Sequence, residues 1–167
     1  TVKPSSSPLQ NIEEDIDFAA MVPMQVITSL SSPETATKLA HIKQIIIGGA
    51  AVSPTLEQQL QQIPTACYGT YGMTETFSQS VTFSVLDYPQ KGDSVGKPLP
   101  GMQVRIDNPD ADGVGEIHLT GPMVMTGYIN QEPIDGDLNT DDIGYVDEDG
   151  FVYILNRRKD LIISGGE

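Results

Sequence analysis

The run Tyr68-Gly69-Thr70-Tyr71-Gly72-Met73-Thr74-Glu75 gathers the parts of a nucleotide site. Its last five residues, Tyr71 to Glu75, hold an aromatic face, a glycine, a hydroxyl and a carboxylate. A flat ring can stack on a purine, and a small residue lets the backbone approach the ligand. A hydroxyl can bond a phosphate oxygen, and a carboxylate can hold Mg²⁺. The same letters also read as a strand ending in a Gly-rich turn before a helix, with Thr74 as N-cap. By itself the octet does not decide between these readings.

Three further blocks accompany it. Gly48-Gly49-Ala50-Ala51-Val52-Ser53 follows an apolar run, and a glycine pair there lets a flat ligand lie against bare backbone. Gly115-Glu116-Ile117-His118-Leu119-Thr120-Gly121, continuing to Gly127-Tyr128, alternates like a strand with one buried face and reads as scaffold. Thr140-Asp141-Asp142-Ile143-Gly144-Tyr145 is followed by Asp149-Gly150-Phe151 and Arg157-Arg158-Lys159-Asp160. A carboxylate and an arginine on neighbouring segments can share a ribose: the acid accepts from the hydroxyls and the guanidinium donates. The plain alternative is a surface ion pair worth ~0–1 kcal/mol.

The elements that must position these blocks can be read from periodicity. A short strand is expected near Phe18–Met21, then a helix from about Pro23 to Leu30 and a second over 33–41. Ile42 to Ile47 reads as a strand covered on both faces, since Ile45, Ile46 and Ile47 are contiguous and β-branched. Ser53 as N-cap and Pro54 in the first turn open a helix through Gln62. Thr65 to Tyr68 is the next strand, so this strand–helix–strand run predicts a parallel pair. Beyond residue 80 short alternating segments at 102–107, 114–120, 123–129, 143–146 and 151–155 suit a small antiparallel sheet or barrel. Asp147-Glu148-Asp149-Gly150 reads as a hairpin turn, and Asp160–Ile163 as a last strand. The fold class is therefore α/β, with an α/β segment over 1–79 and a β-rich subdomain over 80–156.

Composition narrows the partners. The chain has 167 residues, 12 prolines and 16 glycines, consistent with many turns and short strands. Acids outnumber bases 23 to 9, and the net charge of −14 argues against nucleic acid or an anionic membrane surface. Cys67 is the single cysteine, so there is no disulfide framework, and it reads as a buried small hydrophobe. His41 and His118 are far apart, and His118 suits the outer face of a strand. No apolar run approaches the ~20 residues that span a bilayer. No signal peptide is visible, and the expected compartment is the cytoplasm.

In this order the blocks resemble the adenylate-forming, AMP-binding superfamily of acyl-CoA synthetases, peptide-synthetase adenylation domains and luciferases. The likeness covers residues 16 to 167. It rests on Tyr-Gly-Met-Thr-Glu, then Gly-Glu-Ile…Gly-Tyr, Thr-x-Asp, Asp-Gly-Phe and Arg-x-Lys-Asp-x-Ile-Ile-Ser-Gly-Gly-Glu. The resemblance implies part of a large N-terminal domain that binds ATP or AMP and Mg²⁺, with coenzyme A as co-substrate. It assigns adenine stacking to Tyr71 beside Gly72, an α-phosphate contact to Thr74 and Mg²⁺ to Glu75. It assigns the ribose to Asp142, with Arg157 beside it, and the adenine and acyl pocket to Gly48, Gly49 and Ala50. Ser78 and Gln79 would lie near the carboxylate substrate. Lys159 matches the hinge of a C-terminal lid, so residues 157–167 read as hinge and lid entry.

The Gly-Met-Thr-Glu and Ile-Ile-Ser-Gly-Gly-Glu forms are similar to acyl- and aryl-CoA ligases. Asp17–Val26 and Met73–Gln79 resemble the bacterial o-succinylbenzoate–CoA ligases of the menaquinone pathway. The rival readings are another acyl- or aryl-CoA ligase, or a non-catalytic nucleotide-binding module. Two positions depart from the family pattern: Asp141 and Asn156 stand where glycine is usual. The chain starts at Thr1 without Met and contains neither the Ser/Thr/Gly-rich phosphate loop nor the lysine-bearing lid. It therefore reads as cut from a longer protein, with the rest of its own chain as partner, and as unable to catalyse adenylation alone. The oligomeric state is left open.

Overall fold

The computed structural model describes residues 9–10, 15–85, 91 and 93–157. Two compact units divide the chain: Thr1–Tyr71 with Phe83–Asp93, and Gly72–Thr82 with Ser94–Glu167. Hydrogen bonding orders the strands β1-β2-β3-β4-β5 in a mixed sheet and β6-β7-β8-β9 in an antiparallel one.

In the first unit β1 (Phe18–Met21), β2 (Gln44–Ile47) and β3 (Ala66–Met73) run parallel. Met21 lies opposite Ile47, and Ile47 opposite Gly69. Between them come α1 (Pro23–Leu30), α2 (Pro33–His41) and α3 (Pro54–Leu60). Each helix has proline in its first turn, where the missing N–H would have no helical partner. Ser53 Oγ caps α3 by accepting from Leu56 N–H at 3.3 Å. The helices bury Val26, Leu39, Leu56 and Leu60 against Met21, Ile45, Ile47 and Cys67 of the strands. Two hydroxyls lock this packing: Thr35 Oγ1 donates to Ser29 O at 2.6 Å, and Thr65 Oγ1 to Leu39 O at 2.9 Å. Burial pushes the Cys67 thiol up to about 11, which suits an inert packing residue.

Three expectations for this unit need correction. Ile45 and Ile47 are fully buried, but Ile46 is 39 % exposed, so β2 is covered on one face only. Alternation along a strand, and not the run of isoleucines, sets which side chains meet the helices. The third helix stops at Leu60, and Gln61 is its C-cap. β3 continues past Tyr68 to Met73, so most of the octet is strand.

In the second unit the chain leaves β3 through a 3₁₀ turn, Thr74–Thr76, and returns as β4 (Ser78–Ser84), which pairs with the short β5 (Lys97–Pro98). The second sheet comprises β6 (Gln103–Asp107), β7 (Gly115–Thr120), β8 (Asp137–Val146) and β9 (Val152–Arg157). All its pairings are antiparallel, and the sheet is open, with β6 and β9 at its edges and no barrel closure among the described residues. Ile117, Leu119, Leu138 and Val152 fill its inner face. On the other face His118 is largely covered: Arg105 and Asp137 close over it, and its side chain is 12 % exposed. The β8–β9 hairpin is held by Asp147, whose Oδ1 accepts from Asp149 and Phe151 N–H and whose Oδ2 accepts from Tyr153 OH.

The stretch 123–129 forms no strand; it is a loop. β4 and the first half of β8 are strands that periodicity did not indicate. Asp160–Ile163 lies outside the described residues. Among those described, no helix is long and apolar enough to cross a membrane.

Glu57 sits in α3 at 6 % exposure, and its Oε1 has no hydrogen-bond partner among the described residues. Burial, with a smaller push from Asp93, raises its carboxyl from the ordinary 4.5 to about 7. The native state therefore holds a proton that the unfolded chain has released between those values. Its contribution to stability is fully present below pH 4.5 and is lost as pH rises through 7. Glu57→Gln should flatten that slope, with a gain over the parent at pH 8 and none at pH 4, measured by urea unfolding across pH.

Candidate functional site

The turn after β3 presents Thr74 and Glu75 because β3 and β4 are pressed together. A Cβ at Gly72 would overlap the Ser78 carbonyl oxygen and lie 2.7 Å from Gln79 Cα. Only glycine lets the strands approach this closely. The buried Thr76 hydroxyl then fixes the turn. It accepts from Met73 N–H at 3.1 Å and lies 3.2 Å from both the Met73 and Ser78 carbonyls, one of which takes its proton. Met73, not Thr74, is the N-cap, and the turn is a single 3₁₀ turn rather than the start of an α-helix. Phe77 and Ser78 follow at φ 53° and 107°, which non-glycine residues rarely adopt. Phe77 is 90 % exposed, so packing does not compensate for that backbone. Thr74 and Ser78 are exposed, while Glu75 and Gln79 are half-buried.

Glu75 is anchored twice by the loop that follows β7. Its carbonyl accepts from Met125 N–H at 2.8 Å, and its Oε1 accepts from Tyr128 OH at 2.6 Å. The Glu75 carboxylate holds the Tyr128 phenol above its ordinary value, with burial and the charges of Glu75 and Asp141 adding to the rise. Gly127, at φ 148°, turns the chain so that Tyr128 faces Glu75; a Cβ there would stand 3.1 Å from Pro133 Cα. Ile134 N–H closes the loop on Thr126 O at 2.8 Å.

Asp142 and Arg157 are cross-strand partners on β8 and β9. Arg157 Nε lies 3.5 Å from Asp142 Oδ1; the aspartate side chain is 8 % exposed and the arginine 54 %. Asp142 N–H donates to Thr140 Oγ1 at 3.2 Å, and that hydroxyl donates to Ile117 O at 2.9 Å. A buried carboxylate beside a half-exposed guanidinium can accept from a diol while the cation donates alongside. Asp141 stands at φ 61° with its N–H bonded to Asn139 Oδ1. Aspartate tolerates that left-handed conformation better than most residues. Asn156 lies within β9 at an ordinary φ, and its Oδ1 accepts from Arg157 N–H at 2.8 Å.

Gly48, Gly49, Ala50 and Tyr71 belong to the first unit. Gly48 follows β2 directly, packs against Thr70 Oγ1 and donates to Met21 O at 3.1 Å. Gly72, Thr74, Glu75, Ser78, Gln79, Asp142 and Arg157 belong to the second unit. Lys159 lies outside the described residues. Sequence reasoning passed over Thr76 and treated Tyr128 as scaffold. The Gly-Tyr pair was visible, but nothing in the sequence joins it to a carboxylate 53 residues earlier.

The model of the AMP-binding enzymes matches residues 2–129. The chain belongs to the AMP-binding enzyme family. It is 52 % identical over 127 residues to the 2-succinylbenzoate–CoA ligase of Lactococcus lactis, covering 76 % of this chain and 28 % of that protein. The corresponding enzyme of Staphylococcus epidermidis is 42 % identical over 137 residues, covering 78 % and 29 %. The Bacillus subtilis o-succinylbenzoate CoA synthetase, solved with ATP and magnesium ion, superposes with a TM-score of 0.77 at 35 % identity. That match covers 92 % of this chain and 34 % of the other. The same enzyme in complex with its acyl-adenylate intermediate also gives 0.77 at 35 % identity, covering 92 % and 33 %. The chain thus spans under a third of the length of the curated relatives it matches.

Three substitutions at two positions test how this chain builds its turn and strand. Gly72→Ala should cost at least about 2 kcal/mol, because the clash is with backbone and not with a flexible side chain. Asp141→Gly should stay within about 0.5 kcal/mol of the parent, whereas Asp141→Val should lose about 1–2 kcal/mol to the left-handed backbone. Urea midpoints at unchanged m-value measure all three.

Proposed function

We propose that the protein is an ATP-dependent carboxylate–CoA ligase acting on o-succinylbenzoate in menaquinone biosynthesis. The observation that carries this reading is the 52 % identity over 127 residues to a 2-succinylbenzoate–CoA ligase. The proposed chemistry has two steps. The substrate carboxylate attacks the α-phosphorus of ATP, forming an acyl-adenylate and releasing pyrophosphate. The CoA thiol then attacks the acyl carbon, forming the thioester and releasing AMP. ATP and CoA as substrates place the reaction in the cytoplasm.

In this reading the residues act by positioning and by charge. Glu75 is the hard oxygen ligand for Mg²⁺, and an anchored, half-buried carboxylate next to the exposed Thr74 hydroxyl suits such a cation. When bound, Mg²⁺ supplies charge neutralisation on the phosphate oxygens. Thr74 donates to the α-phosphate. Asp142 accepts from the ribose hydroxyls, with Arg157 donating beside it. Tyr71, next to Gly72, stacks on adenine, and Gly48, Gly49 and Ala50 line the adenine and acyl pocket. Ser78 and Gln79 contact the carboxylate substrate, and Lys159 serves as lid hinge. A net charge of −14 is compatible with an anionic substrate because the cation and a few placed donors meet the phosphates.

The test is carboxylate-dependent ATP–pyrophosphate exchange and CoA thioester formation by the full-length protein. o-Succinylbenzoate is run beside fatty, aryl and amino acids. Activity with o-succinylbenzoate alone is expected. Activity with a different acid would keep the reaction and replace the substrate; none with any acid would overturn the ligase reading. The 167 residues alone should show no exchange.

A further inference from the structure

The loop between β7 and β8 grips Glu75 at both its backbone and its side chain. Met125 N–H holds the carbonyl at 2.8 Å, and Tyr128 OH holds Oε1 at 2.6 Å. The tyrosine ring is 49 % exposed, so packing alone does not explain its orientation. Its hydroxyl is the group that is engaged. The loop that presents it is braced by its own bonds, Val124 N–H to Gly121 O, Gln131 N–H to Tyr128 O and Ile134 N–H to Thr126 O. Gly127 places the tyrosine at the bend.

We propose that Tyr128 is a positioning residue for the ligase reaction, fixing the Glu75 carboxylate in the orientation that receives the divalent cation. The proposal rests on the ligase reading and deepens it by adding a residue to the metal site. Glutamate has three side-chain torsions, and leaving them unconstrained raises the entropic cost of ordering it around a metal. A short bond from a phenol to a carboxylate oxygen removes much of that freedom in advance and directs the carboxylate. Hydrogen bonds to ligating carboxylates are general partners of metal sites, and losing one typically costs about 10–100-fold in metal affinity. Tyr128 acts through Glu75, so it matters for the cation and not for the nucleotide as such.

The experiment is calorimetric titration of the full-length protein with ATP, in EDTA and across a Mg²⁺ series. Four forms are compared: parent, Tyr128→Phe, Glu75→Gln and the double variant. Tyr128→Phe keeps the ring and removes only the hydroxyl. It should raise the Mg²⁺ midpoint about tenfold while leaving ATP affinity in EDTA within about twofold. In the Glu75→Gln background it should add nothing, because the two residues act as one unit. A purely structural role for Tyr128 would weaken metal-free binding as well. If Glu75→Gln abolishes the Mg²⁺ dependence while Tyr128→Phe leaves or tightens the midpoint, the proposal is overturned and the ligase reading stands. An independent additive effect of Tyr128→Phe overturns it equally. A parent protein whose ATP binding ignores Mg²⁺ overturns both.

Discussion

The approach of β3 to β4 at Gly72 is the constraint on which the Thr74–Glu75 turn depends. Without a Cβ at that position the two backbones come closer than any side chain allows. The chain must then reverse within a few residues, and it does so through one 3₁₀ turn pinned by the buried Thr76 hydroxyl. The left-handed Phe77 and the positive φ of Ser78 are the cost of that tight reversal. In return Thr74 is exposed and Glu75 emerges half-buried with a fixed backbone. Elsewhere in the second unit a similar economy holds: Asp147 alone accepts three bonds to close the β8–β9 hairpin.

A second theme is that acidic side chains are held rather than merely exposed. Glu75 is bonded by Tyr128, and Asp142 lies beside Arg157 on a neighbouring strand. Asp137 sits against Arg105 and His118. With 23 acids and only 9 strong bases, the chain has too few cations to give each carboxylate its own. Phenol, hydroxyl and backbone N–H donors therefore do much of the work of orienting them. Such donors direct a carboxylate without cancelling its charge, so it keeps its capacity to attract a cation or a hydroxyl donor.

Much of the first unit was legible in the sequence. Prolines at the helix starts, the Ser53 cap and the apolar spacing marked β1, α1, α2 and the start of α3. Those signals are local, so a linear reading captures them. The second unit was harder. Residues 123–129 alternate like a strand, yet Gly127 bends them into a loop clipped to Glu75 and to itself. The polar start of β8, Asp137 to Asp142, has weak strand propensity. It becomes a strand because β7 offers it partners, with Leu119 opposite Leu138 and Thr120 opposite Asp137.

The sequence by itself determined the family and the residue types at its motifs, because the spacing of Tyr71, Thr74, Glu75, Asp142 and Arg157 is a property of the chain. It showed that Asp141 and Asn156 stand where glycine is usual, but only the backbone decided what that means: Asp141 is left-handed and Asn156 is not. Tertiary structure alone decided which groups meet. Tyr128 finds Glu75 across 53 residues, and Arg157 finds Asp142 only through the β8–β9 register. Hydrogen bonds between segments distant in sequence depend on distances that no local propensity encodes, so they appear only once the strands have paired and the loops have closed.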